Sequence, residues 1–339
     1  MRIVRQDTYI PFFALRSSST KLKRVATFLF VIATLLAIYG LCIRPLWLVV
    51  KENRAARAME AQGFVVGRHD VGLPFPMSWI VDRVGISVET GAVVSVANPQ
   101  PLPSPMDSSP LGDFARLESL YLVSSRDTGD CVDDAMLDAM RPCNLRSLVV
   151  KGSSCVSDQS LRKLAYSVDL ETLHVESEGI TDSGLARLSE CRSLRNLWLP
   201  SSRVHRSLAK IACDQLVDLD VSDSHVDDMG VKCLAAATRL QAVDLSGTSI
   251  TDGSLQVLRQ CSSLRKVRVD RTGVTTSGVR ALLFGGSVES VSVIGTEIDI
   301  DSILELSHSR PDVTIYGGGI RGRRVVAEGG TIVYEGNAP

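Results

Sequence analysis

The groups with most chemistry to offer in this chain are five histidines and eight cysteines. Metal sites need such groups at short fixed spacings, H-x-x-x-H or C-x-x-C among them, because two ligands must reach one ion from the same face of an element. Neither spacing occurs. His205 and His225, with Asp223 and Asp227, are the nearest grouping, in adjacent turns on one rim. There is no G-x-S-x-G elbow, and Gly317-Gly318-Gly319 lacks the lysine and the following helix that a phosphate loop needs. The sequence therefore predicts no catalytic residue, no metal ligand and no cofactor. Cys191, Cys213 and Cys261 each stand three residues before a recurrent hydrophobic block, and Cys143 two before it. A shared structural address of this kind marks a small buried apolar residue. Pairing of neighbours such as Cys191 and Cys213 stays open, within the Cα separation a bridge tolerates. In an exported domain, unpaired thiols survive oxidation only by burial.

Those blocks are periodic. L-x-x-L-x-L, allowing Val, starts at Leu117, Leu145, Leu170, Leu194, Leu216, Leu240, Leu264 and Val288, with steps of 28, 25, 24, 22, 24, 24 and 24 residues. A second block follows at fixed offset, from Ile180 (ITDSGL), Val226 (VDDMGV), Ile250 (ITDGSL) and Val274 (VTTSGV). In the first block Leu173 and Val175 share one strand face by period two, while Thr172 and His174 take the other. In the second, Leu185 and Leu188 lie three apart on one helix face. One such unit cannot cover its own apolar side, and stacking successive units does.

On these residues the chain resembles a leucine-rich-repeat protein, nearest the cysteine-containing subtype with an I-T-D-x-G-L half. The resemblance implies an α/β solenoid, with parallel strands on a concave face and short helices on a convex one. Asp182, Asp228 and Asp252, with Thr276 as the variant, sit one turn before the helix apolar positions, where a carboxylate can cap free backbone N–H groups. The sequence departs from the subtype three residues after the last strand Leu or Val. Ser202, Ser224, Thr248, Thr272 and Thr296, with Glu178 in one repeat, stand there in place of Asn or Cys. A hydroxyl can still serve the backbone of that turn. Repeat one is longer, with its surplus in Asp127 to Asp134, and predicts a local bulge.

Ahead of the repeats, residues 25–43 (VATFLFVIATLLAIYGLCI) carry no charge. At ~1.5 Å per residue they span ~28 Å, a transmembrane helix. Arg44-Pro45 follows where a signal-peptide cleavage site would need small residues. Arg2, Arg5, Arg16, Lys21, Lys23 and Arg24 before the run, against Arg44, Lys51, Arg54 and Arg57 after it, place the N-terminus in the cytoplasm and the C-terminal domain outside. The predicted organisation is a basic tail 1–24, the membrane helix 25–43 and a juxtamembrane helix 44–63 ending at Gly63. An N-terminal cap and proline-rich loop 64–116 follow, then a solenoid of about eight repeats over 117–316 and a cap hairpin 317–339 turning at Glu328-Gly329-Gly330. The cap contains Ser78–Gly85 and a strand at Ala92–Val96, and Pro99, Pro101, Pro103, Pro105 and Pro110 make an irregular loop. This order of segments resembles membrane-anchored leucine-rich-repeat proteins of planctomycete-type bacteria.

Lys plus Arg at 37 against Asp plus Glu at 38 gives a formal charge of −1, which removes the basic excess a nucleic-acid binder needs. Aromatics at 5% predict a core of Leu and Val. The exposed strand positions form two columns: Tyr121, Val149, His174, Trp198, Asp220, Asp244, Arg268, Ser292, and beside it Ser119, Ser147, Thr172, Asn196, Asp218, Ala242, Lys266, Ser290. The aromatics followed by an acidic step (Asp218, Asp220, Asp244) and a basic one (Arg265, Lys266, Arg268) make the candidate binding surface. The reading is a membrane-tethered module that recognises a protein or cell-envelope component without catalysis. Two alternatives stay open: a recognition subunit of an enzyme complex, akin to ubiquitin-ligase adaptors, and a metal-dependent hydrolase using the rim His and Asp residues.

Overall fold

The recurrent blocks form strands because each places two large aliphatic side chains on one face and smaller or polar ones on the other. The computed structural model describes residues 28–34, 36, 39, 44–70, 91–97, 108–114, 117–123, 132–139, 145–152, 155–164, 169–211, 213–318, 324–329 and 331–334. They form two units, Met1–Asn53 with Asp70–Gly91, and Arg54–His69 with Ala92–Pro339. In the first unit residues 28–34 are helical, and Phe28, Leu29 and Phe30 are exposed. Among the described residues no helix is long and apolar enough to cross a membrane. The basic tail, much of the expected membrane helix, the Ser78–Gly85 cap, four of the five loop prolines and most of the Asp127–Asp134 surplus lie outside the described residues.

Helix α1 (Arg44–Ala61) buries Ala55, Ala56 and Met59 in the second unit. It ends where Gly63, at φ +88°, lets the Phe64 N–H donate back to the Met59 carbonyl at 3.1 Å. Thirteen strands then follow one another in sequence order across one sheet. They are β1 (Val65–Asp70), β2 (Gly91–Ala97), β3 (Ser119–Val123), β4 (Ser147–Lys151), β5 (Thr172–Val175), β6 (Asn196–Trp198) and β7 (Asp218–Asp220). After these come β8 (Ala242–Asp244), β9 (Lys266–Arg268), β10 (Ser290–Val293), β11 (Thr314–Gly318), β12 (Arg324–Glu328) and β13 (Thr331–Tyr334). Strands β2 to β11 pair parallel, and β11–β12–β13 close the sheet antiparallel. Leu120, Leu148, Leu173, Leu197, Leu219, Val243, Val267, Val291 and Ile315 stand in register across nine strands, each 2% exposed or less.

Return segments cover that face: α2 (Asp134–Ala139), α3 (Asp158–Leu164), α4 (Asp182–Leu185), α5 (Asp228–Val231), α6 (Asp252–Leu258), α7 (Thr276–Gly285) and α8 (Ile300–Ser309). The repeat from Leu194, only 22 residues long, has 3-10 turns alone, at Ser207–Lys210 and Cys213–Gln215. The result is the parallel-strand and short-helix arrangement of a leucine-rich-repeat solenoid. Two expectations need correction. Pro110 lies inside a 3-10 turn (Ser109–Asp113), not an irregular loop, since proline at the start of a helical turn forfeits no hydrogen bond. The last parallel strand runs to Gly318, past the expected boundary at 316. Gly317 pairs with Val293 and Val325, and a Cβ on it would collide with Ile303.

The aspartates of the second block cap N–H groups, but those of the next repeat. Asp228 Oδ1 accepts from the Thr251 N–H (2.9 Å), the Ser254 N–H (3.1 Å) and the Ser254 hydroxyl (2.5 Å), while Oδ2 accepts from the Thr251 hydroxyl (2.6 Å). Asp252 holds Thr275 (2.8 and 2.7 Å), Asp158 holds Thr181 (2.7 and 2.6 Å), and Asp134 holds Ser157 (2.9 and 2.5 Å) in the same way. Asp182 takes the His205 and Ser207 N–H groups at 2.9 and 3.2 Å. At the next step Arg206 replaces the carboxylate, and there the following N-cap changes type. Asp227 accepts from its own Gly230 N–H (2.9 Å) and pairs with Arg206 at 2.9 Å. After Thr276, Asp299 likewise accepts from the Ser302 N–H at 2.7 Å. A hydroxyl cap can donate to the previous carboxylate, whereas a carboxylate cap can only accept and would repel it.

We predict that Thr251→Asp, which sets a second carboxylate against Asp228, costs about 1–3 kcal/mol in denaturant unfolding. The double change Arg206→Asp with Asp227→Thr, which rebuilds the staple, should cost less than Arg206→Asp alone. Burial alone would raise the Asp182 and Asp228 pKa values, but the donors from the next repeat outweigh it and hold both below the usual carboxylate range. Their contribution is therefore present above about pH 4 and is lost as pH falls through the depressed values. Asp228→Asn should flatten the acid limb of a stability-against-pH curve.

Candidate recognition surface

Parallel pairing without a register slip converts one position per strand into a straight line across the sheet. Tyr121, Val149, His174, Trp198, Asp220, Asp244, Arg268, Ser292 and Tyr316 are successive partners. Ser119, Ser147, Thr172, Asn196, Asp218, Ala242, Lys266, Ser290 and Thr314 form the second line. At ~4.8 Å per strand the first line is roughly 38 Å long. All candidates but Arg265 fall on these lines. Arg265 precedes β9, and its guanidinium turns to Glu289 (3.4 Å) and the Ser287 carbonyl (3.0 Å).

The line divides chemically. At one end the Lys151 ammonium lies 5.7 Å from the Tyr121 ring centroid, and His174 meets Trp198 edge-to-face at 5.5 Å and 69°. Burial first, and then the Lys151 ammonium, hold His174 below the usual imidazole range. In the middle, burial pushes Asp218 up against the opposing Trp198 indole and Lys266, with Asp244 adding to the rise. Burial and the neighbouring Asp220 raise Asp244 despite Ser246 and Arg268. Arg268 reaches Asp244 at 3.3 Å and the buried Asp270 at 3.4 Å. Asp270 also accepts from the Ser292 hydroxyl (2.5 Å) and the Ile294 N–H (2.8 Å), so Arg268 is held from behind.

Three of these residues escaped the sequence reading. Tyr316 follows from extending the alternation of Val313 and Ile315 by one residue. Lys151 ends β4 one alternation beyond Val149. Asp270 carries no local signal, since its partners come from two other positions of the sheet.

The rim carries ion pairs. Asp227 pairs with Arg206 at 2.9 Å and lies 3.6 Å from the His205 Nε2, and Asp223 binds Arg271 at 2.8 Å. Among the described residues no group of three or more His, Cys, Asp or Glu is placed to hold a metal. Cys213, Cys233 and Cys261 are free thiols, Cys213 and Cys261 buried, so Cys191 and Cys213 do not pair. Cys155, by contrast, which lies outside the recurrent cysteine address, is disulfide-bonded.

No protein-family model matches the chain, and no curated protein sequence does. Among solved structures it is similar to an internalin C2 from Listeria monocytogenes, at 18% identity and a TM-score of 0.42, covering 60% of this chain and 81% of that one. The topology described above stands on the strand pairing itself.

In an NMR titration the His174 ring should lose its proton below the usual imidazole pKa of about 6.5, and Lys151→Met should move that midpoint upward. His174 binds its proton less tightly folded than unfolded, so its share of stability is present above that range and falls away as pH drops through it. A midpoint unchanged in Lys151→Met would show that the ammonium does not face the ring.

Proposed function

We propose that the chain is a recognition module that binds a protein or a cell-envelope component through the open strand face, and that it carries out no reaction. The observation behind this reading is the unbroken line from Tyr121 to Tyr316, in which side chains alternate with a fully buried aliphatic line in the same strands. The frame uses the buried line; the open line is left for function. Aromatic anchors beside charged groups are the composition in which binding energy concentrates. The charge balance gives no support to nucleic acid as the partner.

The module is read as held at a membrane by residues 25–43, with the solenoid on the extracytoplasmic side. In support, that run is uncharged, and Phe28, Leu29 and Phe30 stand 65%, 59% and 70% exposed, a state that water disfavours and hydrocarbon does not. A disulfide at Cys155 suits an oxidising compartment.

A crosslinking pull-down from native membranes tests the surface. The Trp198→Ala, Asp220→Ala, Arg268→Ala variant should lose partners that the intact chain retains, and a variant that keeps all of them overturns the reading. A reporter fused at Pro339 should read extracytoplasmic, and a cytoplasmic signal would reverse the orientation drawn from the flanking arginines and lysines.

A further inference from the structure

At the C-terminal end of the open face a cavity of about 370 Å³ lies among Lys266, Arg268, Ser290, Ser292, Ile294 and Tyr316. It is large enough for part of a ligand, falling within the ~300–1,000 Å³ common to binding pockets. Register explains its walls: Lys266 stands beside Ser290, Arg268 beside Ser292, and Tyr316 on the far side of Ser292. The serines are short, so the longer cation-bearing chains and the tyrosine rise around them. Among the described residues no carboxylate lines the cavity.

The donors here are unequally committed. Arg268 is fixed from behind by Asp270 and from the side by Asp244, at contacts of 3.3 to 3.4 Å that leave much of its fork exposed. The Ser292 hydroxyl is spent on Asp270. Lys266 is exposed, and among the described residues no carboxylate lies within ion-pair distance of its ammonium; the Ser290 hydroxyl and the Tyr316 phenol have no hydrogen-bond partner among them either. A preorganised guanidinium, an ammonium in no salt bridge and two hydroxyls without a hydrogen-bond partner among the described residues converge on a space that also offers Ile294 and the Tyr316 ring.

We propose that this cavity receives a carboxylate side chain, with its apolar stem, from an extended acidic segment of a partner protein. The proposal rests on reading the open face as a recognition surface, and it names the chemistry of one end of it. The fork of Arg268 suits a planar carboxylate. Ile294 and Tyr316 give the methylene stem and an adjoining aliphatic residue apolar area to cover, which a bare inorganic anion would leave wet. Charge complementarity fixes the direction: the acidic step at Asp218, Asp220 and Asp244 lies on the aromatic side of the cavity, so an acidic group is steered to Lys266 and away from the centre.

The test is selection of a displayed random decapeptide library on the full-length chain in detergent micelles. Enriched peptides should carry Asp or Glu next to an aliphatic or aromatic residue, and binding of the synthetic peptides should weaken about tenfold or more in Lys266→Glu. Lys266 is exposed and forms no salt bridge among the described residues, so this variant should keep the fold, and Ile294→Ser supplies a second, uncharged perturbation expected to weaken binding as well. Enriched peptides without acidic residues, acidic peptides indifferent to Lys266→Glu, displacement by inorganic phosphate as readily as by the free acidic peptide, or no enrichment would each overturn the proposal. Peptides lost in Trp198→Ala but not in Lys266→Glu would overturn it while leaving the recognition reading of the face intact. Peptides indifferent to both would remove the two together.

Discussion

A carboxylate accepts hydrogen bonds and cannot donate them, whereas a serine or threonine hydroxyl does both, and the return side of this solenoid is built on that difference. Asp134, Asp158, Asp228 and Asp252 each reach into the next repeat and meet a hydroxyl N-cap, Ser157, Thr181, Thr251 or Thr275. The caps Asp227 and Asp299, which accept from their own helix N–H groups, follow the repeats where Arg206 and Thr276 replace that carboxylate. Two choices, one per repeat and about 24 residues apart, are thereby coupled: the residue at the first helical position of one repeat decides the cap of the next. The glycine of I-T-D-x-G has the same origin. A Cβ on Gly184 or Gly278 would run into the carboxylate of Asp158 or Asp252, so the residue is small because the preceding repeat needs the room.

Driving force and specification are divided between two sets of residues. Burying one Leu or Val side chain is worth about 1.5–3 kcal/mol, and the sheet buries a Leu or Val at the same address in eight successive strands, so apolar burial outweighs any single staple. Burial is non-directional, however, and Leu197 would pack nearly as well against a neighbour displaced by one turn. The staple is directional: four donors of Thr251 and Ser254 converge on Asp228 at one relative height of the two repeats. Hydroxyls on the strand side instead brace the turn of their own repeat. Ser224, Thr248 and Thr272, buried at 4%, 6% and 8%, donate to the carbonyls of Val221, Leu245 and Val269 at 2.5 to 2.6 Å. In the repeat where Glu178 occupies the usual position, Ser177 reaches back to the preceding repeat instead, donating to the Val156 carbonyl at 2.6 Å.

Much of this was legible in the sequence, and what was not failed for an identifiable reason. Period-two alternation within L-x-x-L-x-L fixed which residues face outward, so the lines through Trp198 and Asp220 needed no coordinates. Lines of this kind are local in sequence apart from the repeat spacing. The destination of Asp228 was misjudged because capping is ordinarily a local affair, three residues long, and here it spans 23 to 26. A signal existed: the cap changes from Thr to Asp wherever the preceding aspartate is missing, at Arg206 and Thr276. Arg265 was assigned to the open face by its charge and its neighbours, while alternation already put it out of phase with Lys266 and Arg268. Cys155 could not be told from the packing cysteines, since pairing depends on a separation in space that spacing in sequence does not encode.

The frame also determines where recognition chemistry can reside. On the turn and helix side Asp134, Asp158, Asp228 and Asp252 are engaged in holding repeats together, and a carboxylate satisfied by three or four donors has little left for a ligand. The open line carries none of these staples, and even there the frame makes claims. Asp270 is buried and draws on Ser292, Ile294 and Arg268, so that the last becomes a fixed fork instead of a mobile arm. Fixing it lowers the conformational entropy that binding would otherwise have to offset, while Lys266 keeps its freedom and its charge. The open face thus grades from an aromatic pair at His174 and Trp198, through carboxylates that burial and mutual repulsion make reluctant to ionise, to a cationic end whose strongest donor is already in position. Three zones of different character thus succeed one another within a few strand spacings of one line.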